Sequence, residues 1–258
     1  MIIESTKNEL IKKARALSTK KGRMEQGLHF IEGENLVREA VVSGAEFSDA
    51  FIEDGHELMA AVLSGSGANV HLVKRNVMKN LTNTETPQWV CATIKTPETS
   101  VPNVYPAGLI VALDRVQEPG NLGAIIRTAD AMGASGILIG EGCADQFAPK
   151  PVRASMGSIY HIPIWRGDLF EELKRLSDTH VLICAHLKGS SGLPDPTKSC
   201  VLVIGNESAG VSDDIANMCS LYKLPMYGFA ESLNASVAAG IIIYEIAKKM
   251  NGEHAIFK

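Results

Sequence analysis

Aromatic side chains are scarce in this chain of 258 residues: they make up 5% of it, with two Trp. No apolar run approaches the roughly 20 residues a bilayer-crossing helix needs; "GLIVAL" and "AAGIII" have the length of buried strands or helix turns, which argues against a helical membrane protein. Cysteine is sparse and scattered. Cys91, Cys143, Cys184, Cys200 and Cys219 are odd in number, with no C-x-x-C pair and no histidine at ligand spacing. A disulfide framework or a zinc site is therefore not expected, and free buried thiols are. An excess of positive charge is missing too. The formal net charge of −4 excludes a polycation that attracts nucleic acid unselectively. The opening "MIIESTKNELIKKAR" has an acid at position 4 and no long apolar core, so it does not read as a signal peptide, and a cytoplasmic protein is expected.

With 45% hydrophobic residues the chain can bury a substantial core, in one large domain or two ordinary ones. Residues 1–95 alternate helix-like and strand-like segments. "NELIKKARAL", "GENLVREAVVSG", "HELMAAVLSGSG" and "RNVMKNLT" have helical spacing, whereas "LHFIEG", "FSDAFIED", "NVHLVK" and "QWVCATIK" read as strands. Pro97, Pro102 and Pro106 then fall in a stretch without apolar period, so residues 96–107 read as an extended linker and 108–258 as a second domain. There the strands "GLIVALDRV", "SGILIG", "HIPIW", "HVLICAH", "SCVLVIG" and "LYKLPM" alternate with helices, among them "NLGAIIRTADAMG", "PKPVRASMGSIY", "DLFEELKRLSD" and a long final one. Such alternation predicts an α/β domain with a parallel sheet flanked by helices. Ligands of such sheets bind beyond the carboxyl ends of the strands, so the loops leaving strands carry the function.

Three of those loops stand out. In "DRVQEPGNLGAIIRTADAMG", Gly120 and Gly123 flank Asn121 where a helix begins, and Arg127 lies about a turn and a half inside that helix. The dinucleotide fingerprint G-x-G-x-x-G is absent, which weakens a nucleotide-dependent oxidoreductase. In "VLVIGNESAGVS" an apolar strand runs into Gly205, Asn206, Glu207, Ser208 and Gly210, the composition of a sharp bend that exposes backbone groups. In "LYKLPMYGFAESLNASVAAG", Pro225 ends a strand and Ser232 or Asn234 can cap the final helix. The small residues Ala235, Ser236, Ala238, Ala239 and Gly240 admit either a flat ligand or a closely packed backbone. Taken one by one, each loop also reads as an ordinary turn, cap or ion-pair surface.

Together and in this order, these motifs resemble the SpoU/TrmH group of SPOUT RNA methyltransferases. The resemblance rests on Asn121, Gly123, Arg127 and Thr128; on Gly205, Glu207 and Gly210; and on Pro225, Met226, Gly228, Ser232, Leu233, Asn234 and Ser236. "VRASMGS" at 152–158 is similar to the family's stretch between the first two motifs, and "HFIEGENLVREAV" resembles the L30e-like substrate-binding domain of its ribosomal RNA members.

The resemblance implies a catalytic sheet whose C-terminal segment is threaded into a deep trefoil knot, a rare exception to the unknotted rule. It implies transfer of a methyl group from S-adenosylmethionine to a ribose 2′-hydroxyl, without a metal, by a homodimer. By position Ile204, Gly205, Leu224, Met226, Leu233 and Asn234 would hold the cofactor, and Arg127, Glu207, Asn121, Ser232 and Asn234 would form the catalytic group. Arg127 is expected to act as a cation toward the hydroxyl, since a guanidinium stays protonated at neutral pH. The first 23 residues carry seven basic side chains against Glu4 and Glu9. Lys12, Arg15, Lys20, Lys21 and Arg23, with Arg153, are the expected RNA contacts. The added domain favours ribosomal RNA over transfer RNA; a transfer RNA enzyme, an antibiotic-resistance methylase and an inactive RNA-binding module are the alternatives.

Overall fold

The computed structural model describes residues 2–82, 86–196 and 199–252. Two compact units emerge. One comprises the residues up to Glu98 together with Asp145–Tyr160, the other Thr99–Ala144 and the residues from His161 onward. The chain opens with β1 (Ile2–Ile3), α1 (Glu9–Ala16), α2 (Lys20–Gln26), β2 (Leu28–Glu32) and α3 (Glu34–Val42). Then come β3 (Phe47–Glu53), α4 (Glu57–Gly65), β4 (Asn69–Val73), α5 (Arg75–Leu81) and β5 (Val90–Lys95). β6 (Leu109–Leu113), α6 (Pro119–Ala131) and β7 (Gly136–Ile139) belong to the second unit; α7 (Pro149–Ser155) belongs to the first. The second unit continues with β8 (Ile164–Arg166), α8 (Leu169–Leu176), β9 (Val181–Ser190) and β10 (Cys200–Ile204). α9 (Asp213–Ala216), β11 (Ser220–Tyr222) and α10 (Ala235–Asn251) complete it.

In the first unit the sheet runs β1-β4-β3-β5-β2, with β1, β4 and β3 parallel and β5 antiparallel to both its neighbours. α1 starts where the Asn8 side chain accepts the Leu10 N–H at 2.9 Å, and it buries Ile11 and Ala14 in a cluster with Leu17, Phe30, Phe51 and Met78. Neither β1 nor α2 is expected from the sequence. α2 contains Gly22, an unfavourable helix residue, but a Cβ there would lie 2.1 Å from the Ala16 carbonyl oxygen, so close packing on the end of α1 demands glycine.

Asp145–Tyr160, expected in the second domain, groups with this first unit, and the reason is a buried polar cluster. Arg23 is 6% exposed; its guanidinium donates to Asp145 Oδ2 from Nη2 at 2.5 Å and to the Leu17 carbonyl from Nη1 at 2.7 Å. His29, fully buried, lies 2.8 Å from the Tyr160 hydroxyl through Nε2 and packs against the Phe147 ring at 5.0 Å. The helix read over 149–160 ends at Ser155, because Met156 turns left-handed at φ 50; a single 3-10 turn follows at Ser158–Tyr160.

In the second unit the strand order is β11-β9-β10-β6-β7-β8, with every pair parallel, as the alternating pattern requires. All five residues of β6 and of β10 are buried, which is why these strands read as uninterrupted apolar runs. From Thr99 the proline-rich stretch is pinned on this unit: the Thr99 carbonyl accepts the Arg166 N–H at 2.7 Å, and Tyr105 packs edge-on against Trp165 and donates to Glu172. Among the described residues no helix is long and apolar enough to cross a membrane.

Burial pushes His29 from its ordinary value of 6.5 down to about 3, the Arg23 charge reinforces this, and Asp145 opposes it. Folded His29 therefore stays neutral while the unfolded chain takes up a proton near pH 6.5, so its stabilising share is full above 6.5 and is lost as pH falls toward about 3. Thermal midpoints should decline between about pH 7 and pH 5, and His29→Gln should flatten that decline. Asp145→Ala, which strands Arg23 as a buried unpaired charge, should cost ~3–5 kcal/mol in urea unfolding; equal stability with the wild type would refute the structural role of the pair.

Candidate active site

The site grows from two strand ends and one helix cap in the second unit. β6 runs out at Leu113, and Asp114, 5% exposed, accepts the Ser212 N–H at 2.7 Å through Oδ2. α6 then begins under Glu118, whose carboxylate accepts the Asn121 N–H at 2.7 Å. β10, adjacent to β6, runs out at Ile204 into the 205–211 bend. A Cβ on Gly205 would lie 2.3 Å from the Gly210 carbonyl carbon and the Val211 nitrogen. Glycine is thus required to close the bend on itself, and the space beside it is filled by the protein's own backbone rather than kept open for a ligand.

Glu207 sits in that bend. Its carboxylate accepts the Glu118 N–H at 3.2 Å, the Gln117 N–H at 3.4 Å and Nδ2 of Asn121 at 3.0 Å. The slight burial of Glu207 pushes its carboxyl up; the bond from Asn121, with backbone bonds from Glu207 itself, Glu118 and Gln117, outweighs that and holds it below the ordinary carboxylate value. Glu207 is therefore an anion at neutral pH. An ionised carboxylate only accepts, so Asn121, 6% exposed, must present its amino group to it and its carbonyl to the other side. There Nδ2 of Asn234 donates to Asn121 Oδ1 at 3.0 Å. Asn234 Oδ1 is left to cap α10, accepting from Ser236 N at 2.9 Å, Ser236 Oγ at 2.7 Å and Val237 N at 3.4 Å. Three motifs distant in sequence meet in one directed relay, Asn234 to Asn121 to Glu207.

The other expected residues stand differently. Arg127 is exposed on α6, and no hydrogen bond or ion pair among the described residues engages it. Ser232 is exposed in the approach to α10 and joins no hydrogen bond of the relay. Ile204 is buried, Gly205, Leu224 and Met226 are half-buried, and Leu233 is exposed. The small residues of α10 serve packing as well: a Cβ on Gly240 would lie 3.6 Å from Thr128 Cγ2 of α6. After Lys223, no backbone hydrogen bond among the described residues engages 224–233. Leu224, Pro225 and Met226 are half-buried beside the strand ends and 227–233 are exposed, so backbone groups of this stretch are accessible to a ligand.

In the first unit Lys12, Arg15, Lys20 and Lys21 are exposed; Lys12 pairs with Glu9 at 2.6 Å and Lys21 with Glu25 at 3.7 Å. Arg23 corrects the expectation, being buried with its charge committed to Asp145. Arg153 Nη1 is 3.0 Å from the nearly buried Glu32 carboxylate, so the ion pair, not a free phosphate contact, is what the structure gives it. Among the described residues no group of three His, Cys, Asp or Glu side chains could hold a metal. Sequence reading missed Glu118, Asp114, Arg115 and Asn206, which shape the two loops; only Asn206, in the turn-forming string "GNESAG", carried a signal.

This arrangement has relatives. Residues 108–244 match the SpoU rRNA Methylase family, and residues 8–92 match the MRM3-like substrate binding domain. The chain is 36% identical to the 23S rRNA (guanosine(2553)-2′-O)-methyltransferase RlmP of Bacillus subtilis, over 95% of this chain and 98% of that protein. The solved structure of an AdoMet-bound rRNA methyltransferase from Sinorhizobium meliloti superposes with a TM-score of 0.87 at 35% identity, covering 96% of this chain and 97% of that one. The SpoU methyltransferase AviRb from Streptomyces viridochromogenes gives a TM-score of 0.85 at 27% identity over 96% of this chain and 99% of its own. With its motifs, its parallel sheet and these relatives in agreement, the chain belongs to the SpoU rRNA Methylase family.

Proposed function

We infer that the protein is an S-adenosylmethionine-dependent RNA methyltransferase that modifies a ribose 2′-hydroxyl, with ribosomal RNA of the large subunit as its substrate. The observation that carries this reading is the Asn234–Asn121–Glu207 relay at the carboxyl edge of the sheet, in a chain of this family. The substrate-binding domain match and the RlmP likeness over nearly the whole chain favour ribosomal over transfer RNA. Ile204, Gly205, Leu224, Met226, Leu233 and Asn234 are the proposed cofactor contacts, largely through the unpaired backbone of 224–233, and the bound sulfonium supplies an activated methyl group. The chain's own task is to orient the hydroxyl and manage its charge. Asn121 and Asn234, held rigid by Glu207, orient the ribose, with Ser232 at the mouth. Arg127, as a cation, stabilises the alkoxide that develops as the proton leaves to water or a phosphate. Lys12, Arg15, Lys20 and Lys21 supply the phosphate contacts of the first domain, and the enzyme works in the cytoplasm, with no metal.

The working unit is proposed to be a homodimer. Val237, Ile241 and Tyr244 are 50%, 39% and 56% exposed at i, i+4 and i+7 along α10, an apolar stripe that wants a partner surface. Arg127, unengaged within one protomer, fits a site completed by a second copy. Light scattering should give a dimer mass, and Ile241→Glu should give monomers that have lost methyl transfer; a wild-type monomer at working concentration would refute this.

Calorimetry with S-adenosylhomocysteine should show saturable binding that Leu224→Trp abolishes. Arg127→Ala should keep that binding yet lower methyl transfer to ribosomal RNA by about 100-fold or more. Arg127→Lys should recover little of it, because a point charge does not reproduce the planar fork. Full turnover in either variant would sink the role given to Arg127, and no binding by the folded wild type would favour the RNA-binding module.

A further inference from the structure

Arg115, directly after β6 and Asp114, holds φ at 55, the left-handed region that a side chain disfavours. Strain of this kind persists where its surroundings over-determine it, often at functional sites. Here the guanidinium forks onto the buried Asp114, Nε to Oδ1 at 3.0 Å and Nη2 to Oδ2 at 3.2 Å, while Asp114 is itself fixed by the Ser212 N–H. The carbonyl that this backbone turns outward accepts Nδ2 of Asn206 at 2.9 Å. Asn206 Oδ1 accepts the N–H groups of Ser208 and Ala209, each at 3.0 Å, and the Asn206 and Gly210 backbones exchange hydrogen bonds at 3.0 and 2.9 Å. The side-chain amide thus reinforces the backbone closure of the bend around Glu207 and, with the Arg115 Nη2 contact to the Gly210 carbonyl at 3.5 Å, ties that bend to the end of β6. Its orientation is forced, since two N–H groups face its carbonyl and a carbonyl faces its amino group.

We propose that Asn206 is a positioning residue for methyl transfer, anchored on the strained backbone of Arg115, and that it sets the Glu207 carboxylate against the N-terminus of α6. Nothing in the relay itself holds Glu207 from behind. Asn121 and the Gln117 and Glu118 N–H groups pull from the α6 side, and Asn206 fixes the peptide on the other. The inference rests on the functional reading above. It also separates two parts of Arg115: the left-handed backbone that aims the carbonyl, and the guanidinium that keeps it there.

The test uses the full-length protein, with methyl transfer to ribosomal RNA, calorimetry with S-adenosylhomocysteine, and carbon-13 NMR titration of the Glu207 carboxyl. Asn206→Ala should lower kcat by about 10–100-fold while leaving cofactor-product affinity within about threefold, as loss of a supporting hydrogen bond does. The Glu207 titration should move up toward the ordinary carboxylate value, because bonds to the charged form are loosened. Arg115→Val, whose branched side chain resists positive φ, should reproduce both effects; Arg115→Gly, which enters that region freely, should be at least about tenfold more active than Arg115→Val. An unmoved Glu207 titration in Asn206→Ala, equal activity of the two Arg115 variants, or parallel loss of product binding and thermal stability would overturn the proposal, the last by reducing Asn206 to a structural turn residue. A wild type that methylates no ribosomal RNA would sink the functional reading instead, and the titration would still decide whether Asn206 places Glu207.

Discussion

The Glu207 carboxylate is the constraint on which the site depends. It accepts from the backbone at the start of α6 and from the Asn121 side chain, and so fixes which way two amides point. An amide alone is ambiguous, since its oxygen and nitrogen occupy nearly the same space; a neighbour that can only accept removes the ambiguity. From Glu207 outward, every donor and acceptor as far as the cap of α10 is determined. The same directions are fixed from the other end, because the Ser236 and Val237 N–H groups can only donate to Asn234 Oδ1, so carboxylate and helix cap enforce one arrangement together.

The chemistry of the relay suits a cleft that must admit a polyanion. A carboxylate facing RNA would repel phosphate, but this one, though exposed, meets three donors that offset its charge. Behind it Asn121 is buried, and the exposed end of the relay, Asn234, is a neutral amide. Arg127 is exposed and uncommitted, in contrast to Arg23, Arg115 and Arg153, all held by carboxylates. Among arginines drawn from functional motifs or basic clusters, freedom from an internal partner separates those able to meet a ligand from those that hold the fold.

Legibility in the sequence followed the same division. β6 and β10 were plain as apolar runs because both faces are covered, and α8 because Leu169, Leu173 and Leu176 recur on one buried face. Asn121, Glu207 and Asn234 could be named together only through resemblance, since each alone passes for a turn or a cap. α2 was missed because its tolerance of Gly22 comes from packing on the end of α1, a tertiary fact. Arg23 was misread for a similar reason: within a run of lysines it looks solvated, and its partner lies at Asp145, far along the chain.

Asp145–Tyr160 shows why periodicity cannot place a domain boundary here. The segment leaves the second unit after Ala144 and returns to it at His161, and its membership in the first rests on Asp145, His29 and Tyr160 meeting in a buried cluster. Each of these residues is unremarkable in its own window. Burying Arg23 with Asp145 is poor value as a source of stability, since desolvation offsets most of the attraction. Its use is specificity: a buried cation accepts one partner and penalises every misplacement that leaves it alone. A hydrophobic contact would tolerate slippage of the segment, whereas this pair, with His29 neutral beside it, admits a single register.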